Sequence, residues 1–139
     1  MPKTLSKKKA KPVRIPNFNP KLSATKAPTE AQIQAQFEVY AHGRLAKESD
    51  NPKELKRLSE SLSKSVKFWV AHNKYTSPEV LIKLSECDSY TVRAAVAQNE
   101  NTPTIAILKL KNDPDKDISQ IAAITHSKQV KKLIGIWLE

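Results

Sequence analysis

The sequence predicts an all-α protein: a short α-solenoid of about three to four two-helix repeats of 26 residues, preceded by a disordered basic tail. Three observations carry this expectation. An apolar and polar pattern recurs at a 26-residue spacing through the second half of the chain. Glycine is nearly absent, with only Gly43 and Gly135, which argues against dense β-turns and Gly-rich phosphate loops alike. Prolines and lysines crowd the N-terminal stretch, which holds no acid before Glu30.

That stretch, residues 1–28, comes first in the chain. Apolar residues make up only 39% of the sequence, below the usual share of about 45 to 50%, so some segment is expected outside the core. Five of the nine prolines fall here, with Lys3, Lys7, Lys8, Lys9, Lys11, Arg14, Lys21 and Lys26. Of 24 basic residues these eight precede every acid, leaving 16 against 14 acids in the remainder, so most of the net charge of +10 sits in the tail. Like charges repel and the segment lacks apolar surface to offset its ordering entropy, which predicts an extended arm suited to polyanions.

At Thr29 the pattern changes. Thr29 and Gln32 stand at capping-box spacing, and Ile33, Phe37 and Tyr40 recur at helical intervals, which predicts a first helix over 29–47. The repeat domain is expected over 29–139, with units at about 51–76, 77–101 and 102–126 and a C-terminal cap over 127–139. Asn51-Pro52 through Leu55 and Leu58 aligns with Ser77-Pro78 through Leu81 and Leu84, then with Ile107 and Leu110. Val66 and Val70 align with Val92 and Val96, then with Ile118 and Ala122. Proline suits a first helical turn because its missing N–H has no partner there, and Asn51, Ser77 and Thr102 stand where caps are expected. Asn73 and Asn99 follow the second segment and read as turn residues tolerant of left-handed backbone. A truncated fourth unit is traced from Ser127, with Leu133 in the place of Ile107 and Ile136 in that of Leu110. One unit cannot bury its apolar face alone, so units are expected to stack.

Val92-Arg93-Ala94-Ala95-Val96-Ala97-Gln98-Asn99-Glu100-Asn101-Thr102-Pro103 resembles the repeat of the variant leucine-rich repeat proteins. The resemblance covers roughly residues 51–139, most closely in this unit. It implies a right-handed superhelix of alternating α and short 3₁₀ helices, related to HEAT-like α-solenoids, and no general catalytic activity. Iron–sulfur-associated members carry an N-terminal cysteine cluster; this chain has none there, so no cofactor is expected.

Function is expected to rest on binding. Cys87, His42, His72 and His126 are scattered singly, so neither a zinc site nor a Cys–His nucleophile is expected. Asp113, Asp115 and Asp117 read as turn and cap residues rather than as paired acid–base groups. Arg57, Lys83 and Lys109 lie 26 residues apart and should form a ladder on one face, with Lys67 and Arg93 as a shorter second one. Together with Lys7, Lys8, Lys9, Lys11 and Arg14 they are the candidate contacts to a partner. The partners expected are DNA or RNA, bound with weak sequence preference, and a protein; the alternative is a scaffold or inhibitor directed at an acidic protein. Trp69, Phe68 and Tyr75 are expected to pack between repeats rather than stack on bases. DNA-repair glycosylases with HEAT-like solenoids offer an enzyme reading by fold analogy alone, and analogy of fold is weak support for function. A single cysteine suits a reducing, cytoplasmic setting. The basic N-terminus lacks the apolar run of about 7 to 15 residues that marks a secretory signal. No stretch reaches the roughly 20 apolar residues of a membrane span, and no membrane association is expected.

Overall fold

The computed structural model describes the backbone of residues 27–138 and the side chains of residues 27–136. The tail lysines and Arg14 lie outside the described residues. Seven helices are described: α1 Glu30–Glu48, α2 Pro52–Leu58, α3 Lys64–His72, α4 Pro78–Leu84, α5 Tyr90–Gln98, α6 Thr104–Leu110 and α7 Lys116–Leu138. Among the described residues there is no strand.

The chain divides into two units, Met1–Phe37 and Glu38–Glu139. In the first, Thr29 and Gln32 close a reciprocal capping box: the Thr29 amide donates to Gln32 Oε1 at 3.0 Å and the Gln32 amide to Thr29 Oγ1 at 3.3 Å. Two orphan amides of α1 are thereby satisfied.

The second unit holds the core. The seven-residue helices α2, α4 and α6 begin 26 residues apart, and so do α3, α5 and α7. Each short helix buries its fourth and seventh residues: Leu55 and Leu58, Leu81 and Leu84, Ile107 and Leu110. The longer helices bury Val66 and Val70, Val92 and Val96, Ile118 and Ala122. These side chains join in one cluster, and α3, α5 and α7 pack in succession. Both segments of each pair are α-helical, with i→i−4 bonds such as Leu55 N–H to Asn51 O, where the resemblance implied short 3₁₀ helices. The tighter geometry is confined to the ends, where Glu60, Glu86 and Asn112 bond three residues back.

Three further sequence expectations are corrected in detail. Asn73 and Asn99 are not left-handed: their φ values are −74° and −72°, with extended ψ, and both are buried. The Asn73 amide group donates to Ala46 O and Ser49 O at 2.8 Å, and that of Asn99 to Ala71 O at 2.8 Å and Asn73 O at 3.1 Å. The asparagines are buried because they cap the C-terminal carbonyls of the preceding long helix. Thr102 is not an N-cap either. It matches Thr76, and both hydroxyls donate back to a helix carbonyl, Val96 O and Val70 O. Pro103 is the N-cap of α6, in register with Asn51 and Ser77.

The fourth unit does not form as a separate pair. At the place of Asn73 and Asn99 the chain has Thr125, whose hydroxyl donates to Ala97 O at 2.6 Å without breaking the helix. No proline follows, so α7 runs on to Leu138, and Leu133 and Ile136 are 58% and 67% exposed rather than in core places.

Two stability outcomes follow from this packing. Leu84→Ala should cost about 2 to 5 kcal/mol, the range for emptying a buried leucine site. Asn99→Ala should cost about 2 to 6 kcal/mol, because it leaves two buried carbonyls without a donor and each costs about 1 to 3 kcal/mol. Urea unfolding followed by circular dichroism measures both, and a loss under about 0.5 kcal/mol in either contradicts the packing described.

Candidate partner-binding surface

Because each short helix turns its fourth and seventh residues inward, its first, second, fifth and sixth residues face solvent. The sixth position is Arg57 on α2, Lys83 on α4 and Lys109 on α6, and all three are exposed. Lys109 Nζ makes an ion pair with Glu86 Oε1, which follows α4. The Lys109 hydrogen bond, reinforced by its charge, holds the Glu86 carboxyl below its ordinary value of 4.5. Arg57 and Lys83 make no ion pair among the described residues.

The second set does not form a like row. Arg93 lies partly buried, its Nε 2.9 Å from Asp113 Oδ2, with Nη1 donating to Cys87 O at 3.0 Å and Asp88 O at 3.1 Å. Its guanidinium ties α5 to the turn before α7. That turn is built as its acids suggest: Asp113 Oδ1 accepts the Asp115 amide and Asp115 Oδ1 the Asp117 amide, both at 2.9 Å. Partial burial of Tyr90, then the charges of Asp115 and Asp117, raise its hydroxyl above the ordinary value of 10.0. Lys67, at the place of Arg93 on α3, is half-buried and makes no ion pair among the described residues.

The aromatic group is structural in its inner part. Phe68 and Trp69 pack on the core cluster and meet edge to face at 5.1 Å, and Phe68 stacks on His72 at 5.9 Å. Lys47 Nζ lies 4.8 Å from the Trp69 ring, and a Cβ on Gly43 would stand in ordinary van der Waals contact with Trp69 Cδ1, at 3.6 Å. Tyr75 is more open, at 47% exposure, with Lys74 Nζ 5.0 Å from its ring.

An open hollow of about 350 Å³ lies among His72, Lys74, Gln98, Asn99, Glu100 and Asn101. Two of its three side-chain amides are already engaged: Asn99 bonds the preceding helix end and Asn101 Nδ2 donates to Lys74 O at 2.8 Å. Cys87 is half-buried against the core. Among the described residues no three His, Cys, Asp or Glu side chains converge as metal ligands, and no helix is long and apolar enough to cross a membrane.

The sequence reading missed the apolar side chains of the same outer face. Ile82 and Leu108 hold the fifth position of α4 and α6, and Ile105 the second position of α6, all exposed. The signal was present in the alignment, where these places carry Lys56 and Lys53 on α2.

No family model, curated protein or solved structure matches the chain.

Lys109→Ala should let the Glu86 carboxyl titrate back toward its ordinary value, measured by NMR on the side-chain carbonyl. A carboxyl lowered on folding stabilises above its unfolded value and loses that contribution as pH falls through the folded one. The wild type should therefore lose this small contribution below about pH 4.5, and the variant should show no such change. An identical Glu86 titration in both proteins contradicts the ion pair.

Proposed function

We propose that this chain is a non-catalytic binding protein, an adaptor that contacts nucleic acid or a nucleic-acid-associated complex through its basic N-terminal segment and the surface of its helical repeats. The observation that carries this reading is the charge distribution, with eight basic residues ahead of the first acid. Exposed Arg57 and Lys83, without ion pairs among the described residues, extend positive charge onto the folded body. Such a surface suits a phosphate backbone at regular intervals and carries no helix-in-groove arrangement for reading base edges. The helical pairs are read as a short right-handed solenoid of the variant leucine-rich repeat type, and the single Cys87 suits a cytoplasmic setting.

A second reading, a scaffold or inhibitor directed at an acidic protein, is favoured by one observation: Ile82, Ile105 and Leu108 are exposed beside the cations. Phosphates have no use for those side chains.

Binding of a fluorescent 20-nucleotide RNA or DNA, measured against salt, tests the first reading. Each phosphate neutralised on duplex DNA should contribute about −0.9 to the slope of log K against log salt. Deleting residues 2–26 should weaken binding and flatten the slope, and randomised sequences should bind nearly equally. Absence of binding at about 50 mM salt rules the nucleic-acid reading out.

A further inference from the structure

The outer face is not uniform along the chain. On α2 its second, fifth and sixth positions are Lys53, Lys56 and Arg57; on α4 they are Glu79, Ile82 and Lys83; on α6 they are Ile105, Leu108 and Lys109. The face thus grades from three cations to two apolar residues with one cation. Ile82 is 39% exposed, Leu108 46% and Ile105 70%. A lone exposed isoleucine is ordinary. Here, however, Ile82 and Leu108 hold the same place on two helices that pack directly, and the next residue on each helix is a lysine. Packed helices stand about 8 to 10 Å apart, so an apolar row and a cationic row run side by side.

That combination distinguishes partner classes. A nucleic-acid backbone would use Lys83 and Lys109 but gain nothing from covering Ile82 and Leu108. A peptide carrying both carboxylates and apolar side chains would use both rows. We propose that the outer face of α4 and α6, extended by the cations of α2, docks an acidic amphipathic segment of a partner protein. Its apolar side chains would lie on Ile82, Ile105 and Leu108, and its carboxylates on Arg57, Lys83 and Lys109. The Glu86 carboxylate that engages Lys109 acts as a stand-in, which an incoming carboxylate replaces at little cost because an ion pair this exposed contributes little to stability. The proposal rests on the protein-directed reading and gives it a location and a ligand chemistry.

Selection of displayed random 16-residue peptides on the full-length chain tests it. Enriched peptides should be net negative and carry two or more large apolar residues. A synthesised winner should bind the wild type and lose at least tenfold in affinity to Ile82→Ser/Leu108→Ser and to Lys83→Glu/Lys109→Glu. These exposed positions should leave the helical circular dichroism and melting behaviour close to wild type. A 20-nucleotide RNA should bind the serine variant as it binds the wild type. No enrichment, or enrichment of basic peptides, overturns the proposal together with the protein-directed reading. Winners that bind both variants undiminished overturn the location alone. RNA affinity that falls with the serine substitutions reassigns the face to nucleic acid and equally overturns it.

Discussion

The fold depends on a side-chain amide that closes the end of a neighbouring helix. A helix leaves its last carbonyls without intrahelical partners, and the bonds that close the ends of α1 and α3 are buried or part-buried. Asn73 supplies two donors to the end of α1, and Asn99 does the same for α3. Each asparagine also accepts from its own turn, Asn73 Oδ1 from the Tyr75 amide and Asn99 Oδ1 from the Asn101 amide. One buried residue therefore fixes its own turn and the register of the preceding helix together. Among the described residues no buried side-chain polar atom is left without a partner.

The outer face follows from that register. Once the long helices are held in succession, the short helices that precede them are fixed as well, and equivalent residues fall into rows. Arg57, Lys83 and Lys109 share a position for this reason, as do Ile82 and Leu108. Arg93 reinforces the arrangement from the opposite end of α5 by joining Asp113 and two turn carbonyls. Its position in the repeat made it resemble a surface cation, yet its partners show a bracing role. Where the asparagine is replaced by Thr125, the bond to the preceding helix survives through a hydroxyl, but the chain is no longer turned and α7 continues.

Much of the fold was legible in the sequence because its core recurs with the chain. Leu55, Leu81 and Ile107 announce themselves at a fixed spacing, and the Thr29–Gln32 box needs only local spacing. What was not legible depends on partners distant in sequence. Asn73 and Ala46 are 27 residues apart, so the asparagine looked like a turn residue rather than a cap for another helix. The fourth unit was misread because apolar periodicity is the same for a helix that packs and for one that runs on. The apolar part of the outer face is hidden for a different reason: a repeat pattern marks positions that keep their character, and Ile82 and Leu108 matter by departing from Lys56.

Native-state hydrogen exchange under low urea tests the central claim, that the asparagine amides couple successive helical pairs. If they do, the amides of α3 and α5, with those of Tyr75 and Asn101 that donate to the asparagines, should open together with one free energy close to that of global unfolding. Opening of α3 and α5 at well-separated free energies, with the Tyr75 and Asn101 amides exchanging as freely as the chain ends, would contradict it.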